Sequence, residues 1–598
     1  MLRYAFSVVA LIPLTLALTL FGAVPTDNNN AANTSVDLLS GQGLKDFYLE
    51  GQDTSMSKLA RDATKSSLTC QTEGSPKQPW GVILVSNISQ PVKKGDVIQV
   101  AIRARCPNSI TGEAFTAFAF EEKAEPNDKS FFVPLSVGNQ EQTFHFAFEA
   151  ARDYQIGEAQ VTLFMGYQNQ TLEINSLELL DHGKAANISD FPQTKFGYPG
   201  MEPDAPWRAL AKARIEKIRE GAIRIKIVDS KGKNVPAASV RIHLTKHAFA
   251  FGTAVNASVL MNDKSANGDH YRQIICDLFN TGVVENDLKW QFWEKDPTLG
   301  TAAVNWLHEH GLRVRGHNLV WPSWKWLPED LSSLQNNPQA LKQRIDQHIT
   351  SILGSLKGKC TEWDVLNEPY SNTDLQRVLG DDEMVSWFRT AREADPEAKL
   401  FINDFGILSN NGSDYAHQES YEKTIRFLLD HGAPLDGIGE QSHFGWLLTG
   451  PDRILQILGN LGKFRLPIES TEFDIDITDE DLQARYLKDF MTTLFSDPDV
   501  EGITLWGFWE QADWKPDAAL WRANWEIKPA GQALVNLLKH EWTTDETLAT
   551  DSNGKIATRG FLGHYTIEVT KGAATVKTEA DITKTSPPLI IKIPAATN

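Results

Sequence analysis

The sequence predicts three bodies in tandem: an N-terminal jelly-roll-like β-sandwich, a central (β/α)8 barrel and a small C-terminal β appendage. Three observations carry this multidomain expectation. The chain has 598 residues, more than one hydrophobic core organises, so two to four domains are expected. From about Val36 to His182 the chain is a series of short β-rich runs broken by turn residues. Past His247, apolar strand-like runs alternate with helical stretches eight times, the pattern of a closed parallel barrel.

The elements follow in chain order. Residues 1–24 hold Arg3 and then an apolar run from about Ala5 to Val24, which reads as an export signal or an uncleaved membrane anchor. An exported protein is expected, either secreted, periplasmic or at the cell surface, and a membrane is a partner only if the segment is kept. Residues 25–34 are a linker rich in Asn. Residues 35–185 form the sandwich, with strands at "WGVILVS", "DVIQVAIRARC", "EAFTAFAFEE", "SFFVPLSV", "QTFHFAFEA", "AQVTLFMGY" and "TLEINSLELLD". Cys70 and Cys106 fall in this domain and either pair or stay as buried thiols. No cysteine spacing suggests zinc, and no metal or cofactor is expected.

Residues 186–246 are a connector. It carries a helix at "WRALAKARIEKIREG", with Gly221 as its stop, and strands either side of the turn "DSKGK". Residues 247–542 are the barrel, and 543–598 the appendage, with strands at "RGFLGHYTIEVTKG", "AATVKTEA" and "LIIKI".

Charge narrows the partners. Lys and Arg number 58 against 77 Asp and Glu, a net −19, which argues against nucleic acid and disfavours polyanionic substrates and acidic membranes. A neutral substrate is compatible. The 17 Trp mostly fill cores, yet exposed indoles in acidic company suit stacking on sugar rings.

Polar residues gather at the ends of the barrel strands. Glu285 and Asn286 close the second, with Lys289 beyond. His317 lies late in the third, followed by Trp321. Asn367 and Glu368 end the fourth, Asn403 and Asp404 lie in the fifth, and Gln441 and His443 end the sixth. Glu472 and Asp474 lie late in the seventh, and Trp506 is in the eighth with Trp514 after it. In a barrel of this kind those ends share one mouth, so the groups converge. No phosphate loop, dinucleotide fingerprint or nucleophile elbow is present. Two carboxylates among amides and indoles suit glycoside hydrolysis. Glu368 and Glu472 are brought to opposite sides of the mouth by strands four and seven, and a gap of about 5–5.5 Å makes such an enzyme retaining.

The motifs "ENDLKW", "RGHNLVW", "WDVLNEP", "NDF", "DGIGEQSH", "ESTEFDI" and "WGFWEQADW", in this order over about 247–540, resemble those of glycoside hydrolase family 10, the endo-β-1,4-xylanases. The resemblance implies cleavage of the xylan main chain, with Glu368 as acid/base and Glu472 as nucleophile. It implies that Glu285, Asn286, Lys289, His317, Trp321, Asn367, Gln441, His443, Trp506 and Trp514 line the sugar subsites. On this reading Asn367 bonds the sugar 2-hydroxyl. Glu368 holds its proton because a carboxylate neighbour and an apolar wall raise its pKa. Pro369 ends the strand. Asp474 supports the site, for instance by bonding His443. Glu469, three residues before Glu472, belongs instead to an ion-pair or hydrogen-bond network.

Two departures bear on the substrate. The family's His-Ser-Gln after "LVW" is here Pro322-Ser323-Trp324, and the Thr-Asp pair after "WG" is here Phe508-Trp509-Glu510. Trp324 either shapes the subsite next to the cleaved sugar or points out of the cleft on a rearranged loop. A glucan or mixed-linkage glycanase is the competing enzyme, and a catalytically dead polysaccharide-binding protein the competing class. The sandwich resembles carbohydrate-binding modules of families 4 and 9 through "PWGVILVS", "VKKGDVIQVAIRAR" and "LEINSLELLDHG". Trp80 is its candidate sugar contact, and a purely structural spacer is the alternative.

Overall fold

The computed structural model describes residues 35–594 apart from 40–42, 63, 65, 75, 77 and 110–113. The expected export signal or anchor and most of the linker lie outside the described residues. Among those described, no helix is long and apolar enough to cross a membrane.

The first body is a β-sandwich of two antiparallel sheets. One runs Ser57–Asp62, Ser67–Thr72, Gln170–Asp181, Val97–Ser109, Gln142–Glu149, with Val36–Asp37 also against Gln170–Asp181. The other runs Tyr48–Glu50, Ile83–Asn87, Ala159–Phe164, Ala114–Glu122, Lys129–Val137. Alternating apolar residues put Val100, Ile102 and Leu179 from one sheet and Leu84, Val161 and Phe118 from the other into one core. Cys70 and Cys106 are both buried there. Cys70 is opposite Leu172, and Gln170–Asp181 separates its strand from that of Cys106. Two strand spacings, about 9.5 Å, exceed the span of a disulfide, so the buried-thiol alternative holds. Burial pushes the Cys70 thiol up to about 12.

The connector and the appendage are not separate bodies, as the sequence had suggested. Glu220–Asp229 lies between Lys555–Phe561 and Leu589–Ile593, and Ser239–His247 between Asp545–Ala549 and Gly563–Lys571, with Ala574–Ile582 outermost. Strands from before and after the barrel therefore build one two-sheet unit. The run "RGFLGHYTIEVTKG" breaks at Leu562 and serves both sheets. Gly221 is not the helix stop. The helix Trp207–Ile218 ends earlier, and Gly221 sits inside the next strand, where a Cβ would come within 2.8 Å of Leu562.

Among the described residues, eight parallel strands close the barrel: β1 Ala250–Val255, β2 Thr281–Val284, β3 Arg313–Gly316, β4 Glu362–Asn367, β5 Lys399–Asp404, β6 Gly437–Glu440, β7 Ile468–Ile475 and β8 Val500–Leu505. The closing pair sets Ala250 of β1 against Gly502 of β8. The strands are buried on both faces, which is why they read as near-continuous apolar runs. A short strand, His443–Phe444, adds to the end of β7.

The barrel interior is partly ionic. Arg315, on β3, is fully buried and pairs with Glu362, Asp364 and Glu469. Three carboxyls face one guanidinium, and burial followed by the nearby Glu362 charge pushes Glu469 well above the usual carboxylate range. Glu469 is thus held in this ion cluster beneath the mouth.

Candidate active site

Strand β4 stops at Asn367 because Glu368 turns into the left-handed region, with φ of 53°. For a residue with a Cβ this costs on the order of 1–3 kcal/mol, and it persists only where the surroundings impose it. Here they do. The Glu368 N–H donates to the Asn403 carbonyl at 2.7 Å. Its carboxyl accepts from Gln441 Nε2 at 3.0 Å, Trp321 Nε1 at 3.2 Å and Asn372 Nδ2 at 3.3 Å. All three donors are neutral side chains. Burial is the largest influence on Glu368 and raises its pKa to about 7. The Gln441 bond and the His443 charge oppose the rise, and the Glu472 and Asp404 charges add to it.

Glu472, on β7, has the opposite surroundings. Burial pushes it up, but His317, His443 and Lys289 together pull it down to about 2. Its Oε1 accepts from Asn403 Nδ2 at 2.8 Å and lies 3.9 Å from His317 Nδ1, and its Oε2 lies 3.4 Å from His443 Nε2. The His443 cation is itself secured. Burial works against it, but Asp474 Oδ2, 2.8 Å from Nδ1, and the nearby Glu472 raise it to about 10. Asp474 Oδ2 also accepts from Trp514 Nε1 at 2.8 Å. His317 Nδ1 meets Asp364 Oδ2 at 2.9 Å, which ties the site to the Arg315 cluster below.

Two amides stand between the carboxyls. Asn403 Nδ2 donates both to Glu472 and, at 2.9 Å, to Asn367 Oδ1, while Asn403 Oδ1 accepts from Thr471 Oγ1 at 2.7 Å. This fixes the Asn367 amide and leaves its buried Nδ2 with no hydrogen-bond partner in the protein. A donor of that kind is ready for an incoming acceptor. Gly439 on β6 makes room, since a Cβ there would come within 2.5 Å of Asn403 Oδ1.

Residues 240–537 match the model of glycosyl hydrolase family 10. Endo-1,4-beta-xylanase 3 of Hypocrea jecorina is 30% identical over 305 residues, which cover 48% of this chain and 82% of that protein. The chain belongs to glycosyl hydrolase family 10. Anti-sigma-I factor RsgI6 of Acetivibrio thermocellus is 36% identical over 61% of this chain and 47% of its own length. Endo-1,4-beta-xylanase 1 of Arabidopsis thaliana is 31% identical over 60% of this chain and 37% of its own length. The chain thus spans less than half the length of these last two relatives.

The remaining family 10 motif residues surround the pair. Lys289 Nζ donates to Asn286 Oδ1 at 2.8 Å and lies 5.7 and 5.9 Å from the Trp321 and Trp506 rings. Burial lowers the Lys289 pKa and raises that of Glu285, against the attraction between the two. Trp506 is nearly buried and set edge-on to His317, whereas Trp514 is 48% exposed beside His443. Trp321 is stacked on Trp326 at 4.3 Å.

Trp324 takes no part in the hydrogen bonds around Glu368. It is half-buried against the barrel core, and its backbone N–H donates to Asp374 Oδ2 at 2.9 Å. The second departure is packing. Phe508 stacks on Tyr271 at 4.7 Å and Trp509 on Trp525 at 4.4 Å. Sequence reasoning did not single out Asn372, Asp364 or the bridging role of Asn403. Asn403 and Asp364 had a signal, their places in "NDF" and "WDVLNEP". Among the described residues, no group of His, Cys, Asp and Glu could hold a metal ion.

Proposed function

We propose that the chain is a retaining endo-β-1,4-xylanase, with Glu472 as nucleophile and Glu368 as acid and base. The observation that supports this is the split between the two carboxyls, Glu368 near 7 and Glu472 near 2. At neutral pH one carries a proton for a leaving oxygen and the other is an ionised nucleophile. A Glu472 oxygen bonds the anomeric carbon as the glycosidic bond breaks, and the Glu368 proton goes to the departing sugar. The ester then formed has removed the Glu472 charge, so Glu368 becomes more acidic. Ionised, it takes a proton from water, whose oxygen displaces Glu472. Asn367 Nδ2 holds the 2-hydroxyl throughout.

Xylan is the proposed polymer because relatives named as endo-1,4-beta-xylanases match across the barrel. Reducing-sugar release from xylan, cellulose and mixed-linkage glucan tests it. Faster release from either glucan points to the competing glycanase, and none from any of the three to a binding protein.

The sandwich is proposed to bind the same polysaccharide. Its five-stranded sheet bears an open cleft of about 670 Å3 with Trp80 and Phe132 on the rim, 56% and 43% exposed. Unchanged retention of Trp80→Ala on insoluble xylan would favour the spacer. The chain is also proposed to be exported through residues 1–24. Finding the expressed protein wholly in the cytoplasm counts against this.

A further inference from the structure

The sandwich is clamped to the barrel rather than hung from it. Residues after the sandwich run beside its strand Gln142–Glu149, where Thr194 N–H donates to the His145 carbonyl at 2.8 Å and His145 N–H to Thr194 Oγ1 at 2.7 Å. Phe196 then stacks on Phe146, 6.0 Å between centroids, and meets Trp446 of the barrel at 5.2 Å. Tyr198 donates from its buried hydroxyl to Asp489 Oδ2 at 2.7 Å, and the Pro199 carbonyl lies where a Cβ on Gly450 would fall. The connector is thereby held on both sides, and the loop after β6 is fixed against the sandwich.

A groove of about 410 Å3 runs along this junction. Phe132, Tyr167 and Trp446 supply aromatic surface, and Asp476, Thr478 and Asp517 supply polar groups. Phe132 also lines the sandwich cleft, where its ring lies 5.8 Å from that of Phe164. At the other end the groove's Asp476 is linked to the catalytic mouth through one lysine. Lys515 Nζ lies 3.9 Å from Asp474 Oδ1 and 3.8 Å from Asp476 Oδ2, and Asp474 is the residue that holds His443. Aromatic faces beside carboxylates suit a neutral polyhydroxylated chain, whose ring faces stack while its hydroxyls donate, and repel a polyanion.

We infer that the barrel mouth, the junction and the sandwich face form one continuous cleft that holds a single neutral β-1,4-linked polysaccharide chain. The sandwich then supplies distal subsites to the enzyme, instead of acting as an independent tether. This rests on the hydrolase reading of the barrel.

The test compares kcat/KM on long and short soluble xylo-oligosaccharides, using the full chain. In the parent, kcat/KM keeps rising with chain length. Phe132→Ala removes one stacking face, so the long-to-short ratio falls by about three- to ten-fold. Thr478→Trp, at an exposed position, blocks the junction without touching a core and lowers the same ratio. Ile590→Ala, an exposed change on the other β unit, leaves it at the parental value. An unchanged ratio in both junction variants, with retention on insoluble xylan lost in Trp80→Ala, makes the sandwich a separate module and overturns the continuous cleft. If the parent cleaves none of the oligosaccharides, the hydrolase reading itself fails and the inference falls with it.

Discussion

Replacing Glu472 by Gln separates the two causes that keep Glu368 protonated. The substitution removes one negative charge and keeps the side chain's size. Burial of Glu368, the largest cause, is unaltered, as is the Gln441 hydrogen bond. His443 stays cationic because Asp474 still holds it. At the separation of about 5.5 Å general to retaining pairs, a bare Coulomb estimate for two carboxylates at an effective dielectric of about 20 is about 3 kcal/mol, or about two pH units. The whole rise is from 4.5 to about 7, and burial leads it. The charge therefore contributes on the order of one pH unit. The Glu368 midpoint in Glu472→Gln should lie between 4.5 and 7. Carbon NMR of labelled glutamate carboxyls follows it, assigned by the signal lost in Glu368→Gln. A midpoint still at 7, or above it, would refute the reasoning and with it the proposed switch of Glu368 from acid to base.

Further outcomes follow from the same geometry. The pH profile of kcat/KM should fall on the alkaline side through about 7, because Glu368 must be protonated, and on the acid side only towards about 2, because Glu472 must be ionised; an alkaline limb beyond 9 contradicts the assignment. His443→Gln removes the cation next to Glu472 and should move the acid limb up by about one pH unit, an effect that pH-rate measurements read directly. Asn403→Ala frees both Asn367 and Glu472 and should lower kcat on the order of 100-fold, whereas a loss under two-fold shows that its bridge is dispensable. Arg315→Met strands buried carboxyls at the barrel centre and should lower stability by about 3–5 kcal/mol in urea titration at neutral pH, and a loss under about 1 kcal/mol shows that the ion cluster is dispensable.

The barrel was legible because its strands carry their own signature. "WDVLN" and "LFIND" are apolar runs buried on both faces that end in groups too polar to bury idly, and a parallel barrel sends those ends to one place. Strands such as Ser57–Asp62, "SKLARD", escaped notice because an edge strand with half its residues exposed looks like a loop. Pairing of Ser239 with Ala549 spans the whole barrel, and nothing local in either segment signals its partner. The left-handed turn at Glu368 was equally hidden, since glutamate is not a residue that announces a positive φ. Burial outranks the Glu472 charge in raising Glu368, an order that depends on packing no motif records. Asn403 illustrates the same limit. Its strand position was readable, but its hold on two neighbours at once needed coordinates.

In the proposed mechanism Glu472 forms the covalent bond to the sugar. The most direct measurement incubates the full chain with an activated 2-deoxy-2-fluoro-xylobioside, which slows release of the intermediate, followed by intact-mass and peptide mass spectrometry. A single fluoroglycosyl adduct is expected, mapped to Glu472 in the peptide containing "ESTEFDI". An adduct on Glu368 or Glu469, or turnover with inversion at the anomeric carbon and no adduct, would contradict it.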